Sequence, residues 1–171
     1  MLLKKIEDEN LNHYKKPSLL LAFPYCSWKC EKECGKQVCQ NSILANAPTY
    51  NFDIRCLVDA YLGNKVTSAV VCAGLEPFDS WDNLIAFISL FRYYSPDDIV
   101  IYTGYKEEEI KDKLYILSLY EDIIVKFGRY IPASESVYDE ILGVELASSN
   151  QYAKVITYDE YKANRESAII G

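Results

Sequence analysis

The sequence predicts an α/β protein built on parallel strands. Four short apolar segments alternate along the chain with segments that carry helix-capping signals. Strands buried on both faces are typically continuous apolar runs, and alternation with helices implies parallel strands joined by right-handed crossovers. The chain has 171 residues, of which 50% are hydrophobic, so it is long enough for one domain with a sizeable core.

The four predicted strands are the short apolar runs themselves. Pro24 follows the first run, Gly74 the second and Gly104 the third, and these residues favour the end of a strand. The strands are expected over residues 18–23, 68–73, 98–102 and 122–127. Residues 1–17 are polar and are expected to form a lead-in, so that residues 18–171 form a single domain.

Capping residues predict a helix after each of the first three strands. The first is expected to begin after Asn51 or Asp53 and to end near Leu62, and the second to run from Asp79 or Ser80 to about Tyr94. The third is expected to begin at Lys106, followed by solvated acidic residues 107–109 near the positive end of its dipole. Residues 129–171 are expected to hold a polar loop, a strand at 154–156 and a short helix near 159–164.

Charge and hydropathy exclude two classes of partner. With 18 basic and 25 acidic residues the net charge is −7, which excludes a generally basic surface for nucleic acid. The longest apolar runs are far shorter than the ~20 residues of a membrane span. Residues 1–10 lack the apolar core of a signal peptide, so we expect a cytoplasmic protein that contacts no membrane.

Four of the six cysteines lie close together, between residues 26 and 39. In a cytoplasmic chain such a cluster predicts a metal or iron–sulfur site rather than disulfides. The spacings do not show the two close pairs of a zinc ribbon, although a zinc site made by all four cysteines stays an alternative. Cys56 and Cys72 are expected to be small buried hydrophobic residues within a helix and a strand.

The predicted topology brings this cluster to one end of the sheet. Residues 25–41, 74–79 and 103–105 each follow the carboxyl end of a predicted strand. Ligands of parallel α/β proteins bind at that end. The cysteine cluster is therefore expected to be part of an active site.

Several motifs in this order resemble those of a known superfamily. A strand followed by Cys26-x3-Cys30, and a second strand followed by Gly74-Leu75-Glu76-Pro77, resemble the radical S-adenosylmethionine superfamily, which usually has Cys-x3-Cys-x2-Cys and Gly-Gly-Glu-Pro. More narrowly, the chain resembles the activating proteins of anaerobic ribonucleoside-triphosphate reductases. The similarity covers about residues 18–156 and includes segments 101–105, 122–130 and 146–151.

The resemblance implies an incomplete parallel β/α barrel with a 4Fe–4S cluster at the carboxyl ends of its strands. Three thiolates would hold the cluster and leave one iron open for S-adenosylmethionine. Cys26 and Cys30 match the first two ligands. We favour Cys39 as the third, because Gln40-Asn41 follows it as in the family, and Cys34 is the alternative. Trp28 is expected to shield the cluster from water.

The resemblance also implies the site for S-adenosylmethionine. It would be formed by Gly74, Leu75, Glu76, Pro77, Thr103 and Gly104. Glu76 is suited to accept hydrogen bonds from the ammonium group of the cofactor, because charge-assisted hydrogen bonds are the stronger kind. Leu75 stands where the family usually has glycine.

The implied activity is that of a glycyl-radical activase. Reductive cleavage of S-adenosylmethionine gives a 5′-deoxyadenosyl radical, which takes a hydrogen atom from a glycine of the large subunit of anaerobic ribonucleotide reductase. The electron donor would be of flavodoxin or ferredoxin type, and an excess of lysine in residues 29–36 would favour an acidic donor. No general base is required, and His13, the single histidine, is expected to be a surface residue.

Two other functions stay open at this point. The same radical chemistry could act on a small molecule such as a nucleotide. The cysteines could instead form a non-enzymatic zinc or iron–sulfur binding module.

Overall fold

The computed structural model of the protein describes residues 1–162. Its centre is a six-stranded sheet with the order β10-β7-β6-β5-β3-β2. The four inner strands are parallel, and both edge strands pair antiparallel to their neighbours. The strands of this sheet are β2 (Lys5–Asn10), β3 (Ser18–Phe23), β5 (Ala69–Gly74), β6 (Asp98–Tyr102), β7 (Ile123–Phe127) and β10 (Tyr152–Val155).

Helices connect the parallel strands, and two small ribbons flank the sheet. The helices are α1 (Lys29–Cys34), α2 (Ser42–Asn46), α3 (Ile54–Gly63), α4 (Trp81–Tyr94) and α5 (Lys111–Leu117). The ribbons pair β1 (Leu2–Leu3) with β4 (Tyr50–Asn51) and β8 (Val137–Asp139) with β9 (Val144–Leu146). Two 3₁₀ turns, Pro77–Ser80 and Glu107–Glu109, lie just before α4 and α5.

The sheet has two differently covered faces. The outer face, which includes Leu21, Val70, Ile101 and Val125, packs against buried residues of α3, α4 and α5. The inner face, which includes Leu20, Val71, Val100 and Ile124, packs against Tyr14 and the segment that holds β8 and β9. Side chains alternate between these faces along each strand. Both faces of the parallel strands are therefore covered, as their continuous apolar sequences require.

The predicted α/β class is confirmed, and each predicted parallel strand is present within one residue of its expected bounds. The cap of α3 is also as expected, because the Asp53 carboxylate accepts the backbone N–H of Arg55 at 2.7 Å. The strands β3, β5, β6 and β7 lie side by side in chain order. Their carboxyl ends therefore meet along one edge, which positions the loops that follow them.

The structure differs from the expectation for residues 1–17, because this segment is not merely a lead-in. It contains β2, whose Lys5 pairs with Ala22 at the edge of the main sheet. This strand was not predicted because its sequence is charged rather than apolar. Charged residues are tolerated in it because an edge strand is open to water. The third helix also begins later than expected, at Lys111, since residues 107–109 form a 3₁₀ turn.

The end of the chain is described in part. The strand expected at residues 154–156 is β10, which pairs antiparallel with β7. Residues 158–162 are helical, and the rest of the short helix expected near 159–164 lies outside the described residues. Within residues 1–162, every helix is too short or too polar to cross a membrane.

Candidate functional site

A cavity of about 690 Å³ lies at the carboxyl ends of the parallel strands and continues over the inner face of the sheet. Its volume falls within the ~300–1,000 Å³ typical of small-molecule sites. Eight of the residues predicted from the sequence line it: Cys26, Cys30, Cys39, Gly74, Leu75, Glu76, Thr103 and Gly104. Cys34 and Pro77 are not among the lining residues, and Pro77 is buried at the start of its 3₁₀ turn.

Three of the lining residues are cysteines carried by the loop after β3. Cys26 lies just beyond this strand, and its Sγ accepts the backbone N–H of Trp28 at 3.2 Å. Trp28 adopts a left-handed φ of 57°, which is uncommon for a residue other than glycine. Cys30 lies in α1, and Cys39 follows that helix after a left-handed turn at Gly35. The loop thus folds back, so that all three cysteines line one cavity.

Burial disfavours the ionised form of two of these thiols. It raises the pKa of Cys26 to about 12, and the nearby carboxylates of Glu76 and Asp79 act in the same direction. Burial also raises the pKa of Cys39, with a further contribution from Glu31. Cys30 lies near enough to both thiols to disfavour their ionisation. A metal centre would have to displace these protons in order to bind.

The remaining cysteines lie elsewhere. Cys34 ends α1, outside the cavity lining. Cys72 is fully buried in β5, as expected, and burial raises the pKa of its thiol. Cys56 lies in α3 as expected, but it is exposed rather than buried, because it falls on the solvent side of that amphipathic helix.

Among residues 1–162, no three His, Cys, Asp or Glu side chains form a group that could hold a metal ion. The thiolates of a 4Fe–4S cluster bind different irons, so they need to surround a cavity rather than meet at one point. The Cys30 thiol lies against Gly104, since a Cβ at this residue would lie 3.4 Å from Cys30 Sγ. Three cysteines in the lining of one cavity are a donor set of the kind that such a cluster takes.

Glu76 is a buried carboxylate at the end of β5. Its Oε1 accepts the Thr103 hydroxyl at 2.8 Å and the backbone N–H of Phe78 at 3.1 Å, and its Oε2 accepts the backbone N–H of Gly104 at 2.9 Å. Burial raises the pKa of Glu76 to about 7, although these three donors oppose the shift. A carboxylate has about four acceptor sites. One site on Oε2 therefore stays available to a ligand in the cavity.

The sequence analysis missed a buried lysine in this cavity. Lys126 lies in β7, is 7% exposed, and donates a hydrogen bond to the Gly128 carbonyl at 3.2 Å. Burial lowers its pKa to about 8, and the charge of Glu76 opposes this shift. The sequence contained a signal for this residue, namely a single lysine within an apolar strand. Lysine is almost never fully buried unless it is paired with a polar group.

His13 also lies in the cavity lining and is not the surface residue expected from the sequence. Its Nδ1 is 2.8 Å from the side-chain oxygen of Asn10, and its ring packs edge-on against Tyr102 with the centroids 5.4 Å apart. The Tyr102 hydroxyl donates to the backbone carbonyl of His13 at 2.6 Å. Burial lowers the pKa of His13. The contact with β6 could not be predicted, because 89 residues separate the two partners.

The acidic residues before α5 form ion pairs and are not simply solvated. Glu109 Oε1 is 2.8 Å from both Lys29 Nζ and Arg129 Nη2. The hydrogen bond from Arg129 is the main reason why the pKa of Glu109 is lowered to about 2. Glu107 forms a separate ion pair with Lys154 at 3.1 Å. The first group of charges ties α1, with Cys30, to the loops after β6 and β7.

Comparisons with protein-family models, with curated proteins and with solved structures found no match for this chain.

Proposed function

We propose that this chain is a radical S-adenosylmethionine enzyme that activates anaerobic ribonucleotide reductase by forming a glycyl radical. The observation that carries the proposal is the shared cavity. It brings together three cysteines and two buried ionisable side chains, those of Glu76 and Lys126, at the carboxyl ends of parallel strands. A cavity lined by cysteines could support several kinds of chemistry. The sequence motifs that resemble the radical S-adenosylmethionine superfamily favour radical chemistry among them.

The arrangement of the sheet supports an incomplete β/α barrel. The four parallel strands follow one another in chain order, and α3, α4 and α5 all pack on the outer face. A barrel has the same sequential order, with helices outside and ligands at the carboxyl ends. Antiparallel β2 and β10 occupy the two edges, so the barrel would be left open between them.

Cys26, Cys30 and Cys39 would hold the 4Fe–4S cluster. Together with S-adenosylmethionine, the cluster supplies reductive carbon–sulfur cleavage and the abstraction of a hydrogen atom from glycine. The protein would orient the bound groups, and the aromatic side chains of Trp28 and Tyr102 also line the cavity. The lining residues from β9, Glu145 and Leu146, and from residues 126–130 provide the opposite wall.

Glu76 and Lys126 would orient the amino acid part of the cofactor. The free acceptor site of Glu76 suits an ammonium group, and the Lys126 ammonium suits a carboxylate. Both side chains are at least nine-tenths buried, so these contacts would be made in a low dielectric. A zwitterion satisfies both at once, whereas a ligand with only one of the two charges leaves the other buried group unpaired.

The electron donor would approach the loop that carries the cysteines. Lys29 is engaged by Glu109, but Lys32 and Lys36 are exposed on this loop. They offer positive charge to an acidic flavodoxin or ferredoxin on a protein whose net charge is −7.

Anaerobic reconstitution with iron and sulfide tests the proposal. We expect a cluster that dithionite bleaches, production of 5′-deoxyadenosine from S-adenosylmethionine, and a glycyl-radical signal in electron paramagnetic resonance when the reductase from the same source is added. Cluster and 5′-deoxyadenosine without the glycyl signal would favour a small-molecule substrate. Stoichiometric zinc with no cluster would identify a binding module instead.

A further inference from the structure

His13, which lines the cavity, has one ring nitrogen whose hydrogen-bonding role is fixed and one that is free. Its Nδ1 lies 2.8 Å from Asn10 Oδ1. The orientation of the Asn10 amide is determined, because its Nδ2 donates to the Glu7 carboxylate at 2.9 Å and its Oδ1 accepts the backbone N–H of Asn12 at 3.0 Å. Nδ1 must therefore be the donor to Asn10. In the neutral ring Nε2 is then an acceptor, and it has no hydrogen-bond partner within residues 1–162.

The imidazole is held in place and is mainly neutral at pH 7. It packs edge-on against the ring of Tyr102, whose hydroxyl donates to the backbone carbonyl of His13 at 2.6 Å. Burial lowers the pKa of His13 below its ordinary value of 6.5, with Lys5 acting in the same direction and Glu7 opposing it. A neutral ring that donates through Nδ1 can bind a ligand only by accepting an N–H or O–H at Nε2.

The cavity near His13 has a floor of small apolar side chains. Ala22 of β3 and Ala73 of β5 are neighbours in register, and both are buried residues of the cavity lining. The next pair on the same face of the sheet is Leu20 and Val71, whose side chains are larger, so the paired alanines leave a depression. We call this part of the cavity the inner arm, and its lining includes His13, Leu20, Ala22, Ala73 and Tyr102.

The inner arm differs in chemistry from the end of the cavity that holds Glu76 and Lys126. Those two side chains suit the opposite charges of a zwitterion, whereas the inner arm offers one neutral acceptor and an apolar floor. Tyr102 lies close to both parts, since its ring centroid is 5.7 Å from Lys126 Nζ and 5.4 Å from the centroid of the His13 ring. A ligand in the inner arm would therefore lie next to one held by Lys126.

We infer that His13 is a specificity-determining residue, whose Nε2 accepts a backbone N–H of the peptide segment that carries the substrate glycine. The inference rests on the proposed function, because it takes a glycine of the reductase as the substrate. A peptide backbone supplies the neutral N–H donor that Nε2 requires. A segment centred on glycine also needs little room for side chains, so its backbone can approach the alanine floor of the inner arm.

Nuclear magnetic resonance of the ring nitrogens tests this inference, because His13 is the only histidine of the chain and its signals need no further assignment. The full-length protein is labelled isotopically at histidine and reconstituted anaerobically. Without ligand at pH 7, we expect a protonated Nδ1 and an unprotonated Nε2. S-adenosylmethionine alone should leave the Nε2 resonance in place. A synthetic peptide that contains the radical-bearing glycine of the reductase from the same source should then shift it.

Substitution of His13 measures the contribution of this hydrogen bond to binding. His13→Phe keeps an aromatic ring against Tyr102 but removes Nε2, so the Kd for the peptide should rise roughly three- to tenfold. His13→Gln keeps an acceptor and should restore part of the affinity. Leu11→Ala is the control, because Leu11 lies in the same segment, is 62% exposed and does not line the cavity. This control should bind the peptide as the wild type does.

The outcomes separate this inference from the proposed function. A shift of Nε2 with S-adenosylmethionine alone would assign the acceptor to the cofactor and overturn the inference. Wild-type peptide affinity in His13→Phe, the absence of a shift with the peptide, or a proton on Nε2 in the free protein would overturn it as well. The proposed function stands in each of these cases if the same preparation forms the glycyl radical on the intact reductase. A preparation that neither forms this radical nor binds the peptide would overturn both.

Discussion

The buried carboxylate of Glu76 accepts the backbone N–H of Gly104 at 2.9 Å, and this hydrogen bond joins the loop after β5 to the loop after β6. A Cβ at Gly104 would lie 3.7 Å from Glu76 Oε2 and 3.4 Å from Cys30 Sγ. The same glycine therefore borders the predicted cluster ligand and the predicted cofactor ligand. This adjacency is what the proposed chemistry requires, because the cofactor would bind the open iron of the cluster.

Glu76 should make the stability of the ligand-free protein depend on pH. Its pKa is raised from the ordinary 4.5 to about 7 in the folded state. Between these values the unfolded chain loses a proton that the folded protein keeps, so the contribution of Glu76 to stability is most favourable below pH 4.5 and falls as pH rises to 7. Linkage gives a loss of about 3 kcal/mol over this window.

Urea unfolding at several pH values measures this effect, with Glu76→Gln as the comparison. The variant cannot titrate at this position, so the difference between the two proteins should change with pH. A difference that stays constant from pH 4.5 to 7 would contradict a raised pKa at Glu76.

Exchange of single cysteines should identify the third ligand. Cys39→Ala is expected to lose the cluster and all 5′-deoxyadenosine formation, because its thiol lines the cavity with those of Cys26 and Cys30. Cys34→Ala should keep most of both, since Cys34 ends α1 outside the lining. Iron and sulfide analysis after reconstitution provides the measurement, and the exposed Cys56 gives a control as Cys56→Ser. Iron loss from Cys34→Ala with retention in Cys39→Ala would assign the ligand to Cys34.

The parallel strands and the strand-end position of the site could be predicted because their signals are local. Each inner strand is a compact apolar run, and topology then brings the residues after the strands together. Glu76 lies where this argument places it, within hydrogen-bonding distance of Thr103 and Gly104.

Features that depend on distant partners could not be predicted in this way. The strand β2 has a charged sequence that does not by itself indicate a strand, and it is defined by its pairing with β3. Arg129 is separated by 20 residues from Glu109, and its burial depends on a loop, a helix and a strand end meeting. Exposure of Cys56 depends on which face of α3 packs on the sheet, and the expectation that this residue is buried was wrong because residue type alone does not fix that orientation.

Lys126→Met should increase stability and weaken cofactor binding. Burial lowers the pKa of Lys126 from 10.5 to about 8, so its charge destabilises the fold below pH 8, and this cost is relieved as pH rises towards 10.5. Methionine removes the charge and keeps the length of the side chain, so unfolding at pH 7 should cost about 1–3 kcal/mol more. Loss of a charged hydrogen bond of about 1.5–3 kcal/mol should raise the Kd for S-adenosylmethionine roughly ten- to over a hundredfold.

Thermal unfolding and calorimetry measure the two effects of Lys126→Met separately. Lys154→Met is the control, because Lys154 lies on the neighbouring strand β10, pairs with Glu107 and does not line the cavity. That variant should bind the cofactor normally. Unchanged affinity in Lys126→Met would remove this lysine from the cofactor site.

Gly104→Ala should leave the fold intact and impair the site. The backbone of Gly104 does not adopt a left-handed φ, and the added methyl group would meet neighbouring atoms at ordinary contact distances of 3.4 and 3.7 Å, so stability should change by less than about 1 kcal/mol. The methyl group would nevertheless fill the space between the Cys30 thiol and the Glu76 carboxylate. We expect the Kd for S-adenosylmethionine in the reconstituted protein to rise at least tenfold, about 1.4 kcal/mol.

Gly63→Ala is the control, since a Cβ at Gly63 in α3 has no atom within 4 Å among the described residues. Wild-type affinity in Gly104→Ala, with the cluster present, would show that the cofactor does not bind between these two groups.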